Sequence, residues 1–164
     1  MLEATEIITC LDLEPHPEGG FYKRFYTGQS FSLSQGVRPI SSSIYYLLTK
    51  DSYSSWHQLK SDELWFFHEG CPIEVHCFDP SGGYFSQKIG LIENERMPQA
   101  LIPAGTIFAA SIDSRTSYPS DWALISCVVS PGFDFEDFSL ISASQLLALH
   151  PEHADIIRRF SRYE

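Results

Sequence analysis

Along most of the chain, apolar and polar residues alternate with a period of two, in short runs broken by glycine, proline and aspartate. In Gly20–Tyr26 this puts Phe21, Lys23 and Phe25 on one strand face and Tyr22, Arg24 and Tyr26 on the other. Further strands are predicted at Ser42–Leu48, Ser54–Leu59, Glu63–His68, Ile73–Phe78, Tyr84–Ile89, Gln99–Ile102, Ile107–Ile112 and Trp122–Val129. Asp79–Gly83 is a turn, while Gly28–Arg38 and Glu93–Met97 are predicted as loops. The period changes only at the ends. Ala4–Leu11 reads as an amphipathic helix with Ile7, Ile8 and Leu11 inward. Ser142 is placed to cap a helix over Ala143–Leu149, and Pro151 suits the first turn of a second reaching Phe160. About nine short strands make this an all-β sandwich or barrel with helical ends. The expectation is one domain over 1–164, with a β core about 13–140 and C-terminal helices about 142–160.

Candidate chemistry gathers between Ser55 and Gly70. Alternation puts His57 and Leu59 on one face of the first strand there, and Glu63, Trp65 and Phe67 on one face of the second. Where those faces meet, an imidazole and a carboxylate look into one apolar cavity, which suits acid–base work or metal binding. The Tyr22, Arg24 and Tyr26 stripe suits an oxygen-rich or anionic ligand, with Arg24 as a forked donor. Trp65, His68 and His76 complete the candidate ligand-binding set. His68 shares its face with Leu64 and Phe66 rather than with Glu63, and His76 shares its face with Glu74 and Phe78. His16 and Glu18 lie in the turn Leu13–Gly20, whose prolines fix φ and whose glycines admit positive φ; their expected part is to shape it. The phenylalanines of Phe133–Phe138 are expected to pack, and its acids to be solvated or bonded to loops.

Composition narrows the classes. At 164 residues and 43% hydrophobic the chain can bury a sizeable core. A formal charge of −10 argues against a nucleic-acid partner, because such binding draws on basic residues. The acidic start Met1–Glu6 lacks a signal-peptide pattern and no apolar run spans a bilayer, so a cytoplasmic protein without membrane association is expected. Cys10, Cys71, Cys77 and Cys127 form no Cys-x-x-Cys pair and read as buried, reduced thiols.

The order His57, Glu63, Gly70 resembles the first motif of the cupin superfamily, with Leu59 at its second histidine position. Pro103-Ala104-Gly105-Thr106-Ile107-Phe108 resembles the second motif, with Phe108 where a metal-binding histidine usually stands. The opening Pro15-His16-Pro17-Glu18-Gly19-Gly20-Phe21-Tyr22 and the close Gly132-Phe133-Asp134-Phe135-Glu136-Asp137-Phe138 are similar to those of a small group of cupins of unknown function. The resemblance covers about Leu11 to Leu140. It implies an RmlC-like double-stranded β-helix, a cupin jelly roll, usually paired as a homodimer. By analogy with nucleotide-sugar epimerases of that fold, it implies a small polar or sugar-like ligand and a metal-independent isomerase or epimerase. His57 would be the base and Glu63 its catalytic partner, with Tyr22, Arg24 or Glu63 positioning the substrate. No cofactor is expected, since Leu59 and Phe108 replace two ligands. The alternatives are a divalent transition metal on His57, Glu63 and His68, and a non-catalytic binding or sensing cupin.

Overall fold

A computed structural model describes residues 2–34, 36–92, 96–113 and 118–162. After helix α1 (Ala4–Cys10) come β1 (Glu14–Pro15), β2 (Phe21–Thr27), β3 (Ser30–Leu33), β4 (Gly36–Pro39), β5 (Ser42–Thr49) and β6 (Ser54–Leu59). Then follow β7 (Asp62–Gly70), β8 (Ile73–Phe78), β9 (Tyr84–Ile89), β10 (Gln99–Ile102), β11 (Ile107–Ile112), β12 (Trp122–Ser130) and β13 (Phe138–Leu140). Helices α2 (Ala143–Leu149) and α3 (Ala154–Arg159) close the chain. One sheet has six strands in the order β1-β2-β5-β12-β7-β10, and a second has five in the order β13-β6-β11-β8-β9. The expected jelly roll with short helices at both ends is what forms.

Alternation decides which side chains fill the space between the sheets. Ile73, Val75 and Cys77 of β8 face inward with Tyr46, Trp65, Phe108, Ile125 and Cys127. The opposite face of the five-stranded sheet carries Trp56, Phe78 and Ala109, covered by Leu146, Ile157 and Phe160 of the C-terminal segment. Trp56 is fully buried and donates its indole N–H to the Ile157 carbonyl at 3.0 Å, tying those helices to β6. On the outside of the other sheet, Ile7 packs with Leu13, Leu47 and Trp122, and Ile8 and Leu11 join them partly buried, so Ile7, Ile8 and Leu11 face inward as the helical period of the N-terminus predicts. Ser142 caps α2, accepting from the Gln145 N–H.

Three expectations need correction. Gly28–Arg38 is not a plain loop: β3 and β4 form an antiparallel hairpin there. Ser30-Phe31-Ser32-Leu33 alternates, but that strand is exposed along its length, and the hairpin is tied to the body of the fold by Arg38 of β4, which reaches across to Asp137. Asp137, expected to be solvated or bonded to a loop, is bonded to a strand. It is buried and takes Arg38 Nε at 2.7 Å and Nη2 at 3.2 Å, which holds its carboxyl below the usual range. Among the thiols Cys71, Cys77 and Cys127 are buried, but Cys10 is exposed; all four are free. Of the predicted loop Glu93–Met97, residues 93–95 lie outside the described residues. Among the described residues no helix is long and apolar enough to cross a membrane.

Candidate functional site

Between the sheets a pocket opens, with about 470 Å³ of space unoccupied by protein atoms, open solvent at its mouth included. Inward positions of β2, β5, β6, β7 and β12 supply Tyr22, Arg24, Ile44, Tyr46, His57, Leu59, Glu63, Cys127 and Val129 to its wall. Phe133 and Phe138 come from the segment after β12, and His16 and Glu18 from the turn before β2.

That turn delivers the pocket's central acid. Gly19 and Gly20 both take positive φ, and a side chain on Gly19 would collide with the Tyr53 carbonyl. Only glycine lets the backbone press so closely against the end of β6. The Glu18 carbonyl is fixed by the Ser55 N–H at 2.9 Å and the Ser55 hydroxyl at 2.7 Å. Its side chain turns inward and is buried. Oε1 accepts from the Ser54 hydroxyl at 2.8 Å, while Oε2 lies 3.1 Å from His57 Nε2 and 3.6 Å from His16 Nδ1.

Geometry also sets the proton inventory. His57 Nδ1 lies 2.7 Å from the Ser55 carbonyl, which can only accept, so Nδ1 carries a proton. The contact between His57 Nε2 and Glu18 Oε2 then holds one further proton shared by the two. The ring is sandwiched by Phe108 and Phe138, at centroid distances of 4.0 and 5.6 Å. His16 Nδ1 accepts from the Glu18 N–H at 3.3 Å, so its neutral ring bears its proton on Nε2. Burial keeps that ring neutral by lowering its pKa, with Glu18 opposing and Arg24 reinforcing the effect.

Glu63 opens the inner face of β7 and is buried. Desolvation, and then the charge of Glu18, push its carboxyl up to about 8 from an ordinary 4.5. The Trp65 indole N–H and the Cys127 thiol face this group and offset part of the rise. The indole does not close to hydrogen-bonding distance of any acceptor among the described residues. At neutral pH Glu63 is thus a proton donor set near an ionisable pair. Two carboxyls whose environments separate their protonation states are a recurring arrangement for acid–base chemistry.

Of the residues singled out from the sequence, His57, Glu63, Tyr22 and Arg24 meet in this pocket. Tyr26 does not: a bulge at Phe25 breaks the register between Arg24 and Tyr26, and Tyr26 turns out to solvent. Trp65 is a core residue packed against Tyr46 and Phe108. His68 is exposed on the outer sheet face, bonded to the Ser126 hydroxyl at 2.6 Å. His76 is buried on the far side of the five-stranded sheet, bonded to the Tyr84 hydroxyl at 2.7 Å and packed on Phe160. The sequence reading missed His16 and Glu18 as members of the site. The signal available was an acid placed directly before two glycines in a proline-stiffened turn.

The donor set does not fit a transition metal. Leu59 and Phe108 fill two of the expected ligand positions, His57 has both nitrogens engaged, and His68 lies on the opposite sheet face. No group of three or more His, Cys, Asp or Glu converges as a metal site among the described residues.

Residues 5–141 match the model of the cupin superfamily (DUF985) family. The uncharacterized protein YML079W of Saccharomyces cerevisiae is 30% identical over 156 residues, covering 87% of this chain and 77% of that protein. Among solved structures, protein SO0799 from Shewanella oneidensis is 36% identical, with a TM-score of 0.90 and full coverage of both chains. A hypothetical protein from Leishmania major is 33% identical, with a TM-score of 0.91, covering 99% of this chain and all of that one. Oxalate decarboxylase from Bacillus subtilis shares the fold alone, at 14% identity and a TM-score of 0.58, over 93% of this chain and 38% of that one. Match and relatives agree with the geometry of two facing antiparallel sheets around a pocket: the chain belongs to the DUF985 family of the cupin superfamily.

Proposed function

We propose that the pocket binds a small, polar, oxygen-rich organic molecule and that Glu18, His57 and Glu63 move a proton on it without a metal. The observation that carries this reading is the 3.1 Å contact between His57 Nε2 and Glu18 Oε2, beside a Glu63 carboxyl pushed up to about 8. A lone His57 base is less well supported, because both its ring nitrogens already have partners. In the role that fits, Glu18 takes the proton from a carbon beside a carbonyl and His57 steadies the charge. The C–H electron pair moves into the carbonyl, whose oxygen takes the Glu63 proton. As Glu18 returns its proton to carbon, the Glu63 carboxylate takes back a hydroxyl proton from the enediol, which restores a carbonyl and resets both acids: reprotonation of the neighbouring carbon gives an isomerase, and of the opposite face of the same carbon an epimerase.

The test is C–H exchange. Small hydroxyketones and hydroxy-keto acids, dihydroxyacetone and hydroxypyruvate among them, are incubated with the protein in deuterated water, and at least one should lose the proton beside its carbonyl faster than in buffer. Glu18→Gln and Glu63→Gln should each slow this by about 100-fold. Saturable binding with no exchange would favour the non-catalytic binding or sensing reading. Absence of both would defeat either.

A homodimer is proposed alongside. β2 has only the two-residue β1 on its outer side, so its edge from Lys23 to Thr27 has no strand neighbour among the described residues. Phe25 is 69% exposed beside it, and Val37 of the neighbouring hairpin 63%. An open edge flanked by apolar side chains supports pairing with a second copy. Light scattering at micromolar concentration should give twice the 18.6 kDa chain mass. A monomer mass would remove the proposal.

A further inference from the structure

The chain carries 21 acidic and 11 basic residues, so carboxylate partners are plentiful. Lys23, Arg38, Lys50 and Lys60 all use them. Arg24 does not. It is half-buried in the pocket wall, its guanidinium lies 5.7 Å from the centre of the Phe133 ring, and it makes no ion pair among the described residues. A forked cation kept partly out of water without a counter-ion is suited to pairing with an anion. A second donor faces the same pocket. His16 is held with Nδ1 accepting from the Glu18 N–H, and its Nε2–H has no partner among the described residues. The deeper wall is of opposite character, with Glu18, His57 and Glu63 gathered there.

We infer that the pocket takes a small organic monocarboxylate, its carboxylate held by the Arg24 guanidinium and the His16 Nε2–H, and its uncharged hydroxyl or carbonyl end turned toward Glu18, His57 and Glu63. This rests on the pocket being a ligand site, as proposed above, and adds the charge and orientation of the ligand. A neutral polyol would leave Arg24 without return for its lost hydration. A phosphate dianion would put a second negative charge into a pocket that already holds Glu18 and offers one guanidinium. Glu63, protonated at neutral pH, completes the polar end as a hydrogen-bond donor to an uncharged oxygen.

The test uses glycolate, lactate and pyruvate as probes, with lactamide and propane-1,2-diol as neutral counterparts and phosphoglycolate as the more highly charged one. Binding is read by saturation-transfer NMR and calorimetry. At least one monocarboxylate should bind where its neutral counterpart does not. Arg24→Gln should weaken that binding roughly 10- to 100-fold, as expected on losing a charge-assisted pair, with the melting temperature unchanged. Arg24→Lys should restore only part of it, because a point charge lacks the fork. Equal binding of lactamide and lactate, or unchanged affinity in Arg24→Gln, would overturn the carboxylate assignment while leaving the pocket as a ligand site. Tighter binding of phosphoglycolate than of every monoanion would overturn the charge selection. Silence from all probes, charged and neutral, would overturn the inference and the pocket reading together.

Discussion

Glu18→Ala is expected to lower the unfolding free energy by about 2–4 kcal/mol and to abolish ligand binding. The alanine leaves the Ser54 hydroxyl without its acceptor at 2.8 Å and His57 Nε2 without its partner at 3.1 Å, both in buried surroundings. Glu18→Gln keeps an acceptor for Ser54 but cannot balance a charged His57, so about half the loss is expected. A coupled effect separates this account from simple loss of packing. The charge of Glu18 is one of the two causes that push Glu63 up, so the Glu63 midpoint should fall in both variants. Urea unfolding supplies the first quantity and a carboxyl-carbon NMR titration the second. Wild-type stability in Glu18→Ala with an unmoved Glu63 midpoint would show that this pair does not organise the pocket.

Stability should fall as pH rises from about 5 to about 9, by on the order of 3–5 kcal/mol, and Glu63→Gln should flatten most of that slope. Glu63 has an ordinary value of 4.5 in the unfolded chain and about 8 in the fold. Between those values the folded state holds the proton and the unfolded state releases it, so each rise in pH favours unfolding. Below 4.5 both states are protonated and the folded form carries no penalty from this group. Above about 8 the buried carboxylate is charged beside Glu18, and the full penalty is felt. Asp137 works in the opposite sense. Its hydrogen bonds to Arg38 depress its carboxyl, so its contribution is present above the ordinary carboxylate range and is lost on acidification. Stability should therefore decline toward both extremes, with the alkaline limb belonging to Glu63. An alkaline limb of equal size in Glu63→Gln would refute the assignment.

Local pattern determined much of this protein by itself. Period-two alternation located most of the strands and the inner faces of β6, β7 and β8, because a side chain's face in a regular strand follows from its parity. His57 and Glu63 were placed on facing strands for that reason, whereas His68, counted among the candidate ligand-binding residues although it shares no face with Glu63, lies on the outer sheet face. Parity fails wherever a strand slips. The bulge at Phe25 removed Tyr26 from a stripe that Tyr22 and Arg24 keep, and nothing in the local sequence marks it. Parity also cannot say what covers a face. His76 is buried, but beneath the C-terminal helices rather than in the barrel, since both sides of its sheet are packed. The buried states of Arg38 and Asp137 rest on a pairing 99 residues apart in sequence. Glu18 shows the limit most sharply. Its turn was legible from Pro15, Pro17, Gly19 and Gly20, but the same turn could face solvent or barrel. Only its docking against Ser54 and Ser55 of β6 buries the carboxylate beside His57, because long-range backbone hydrogen bonds choose the side on which the turn lies.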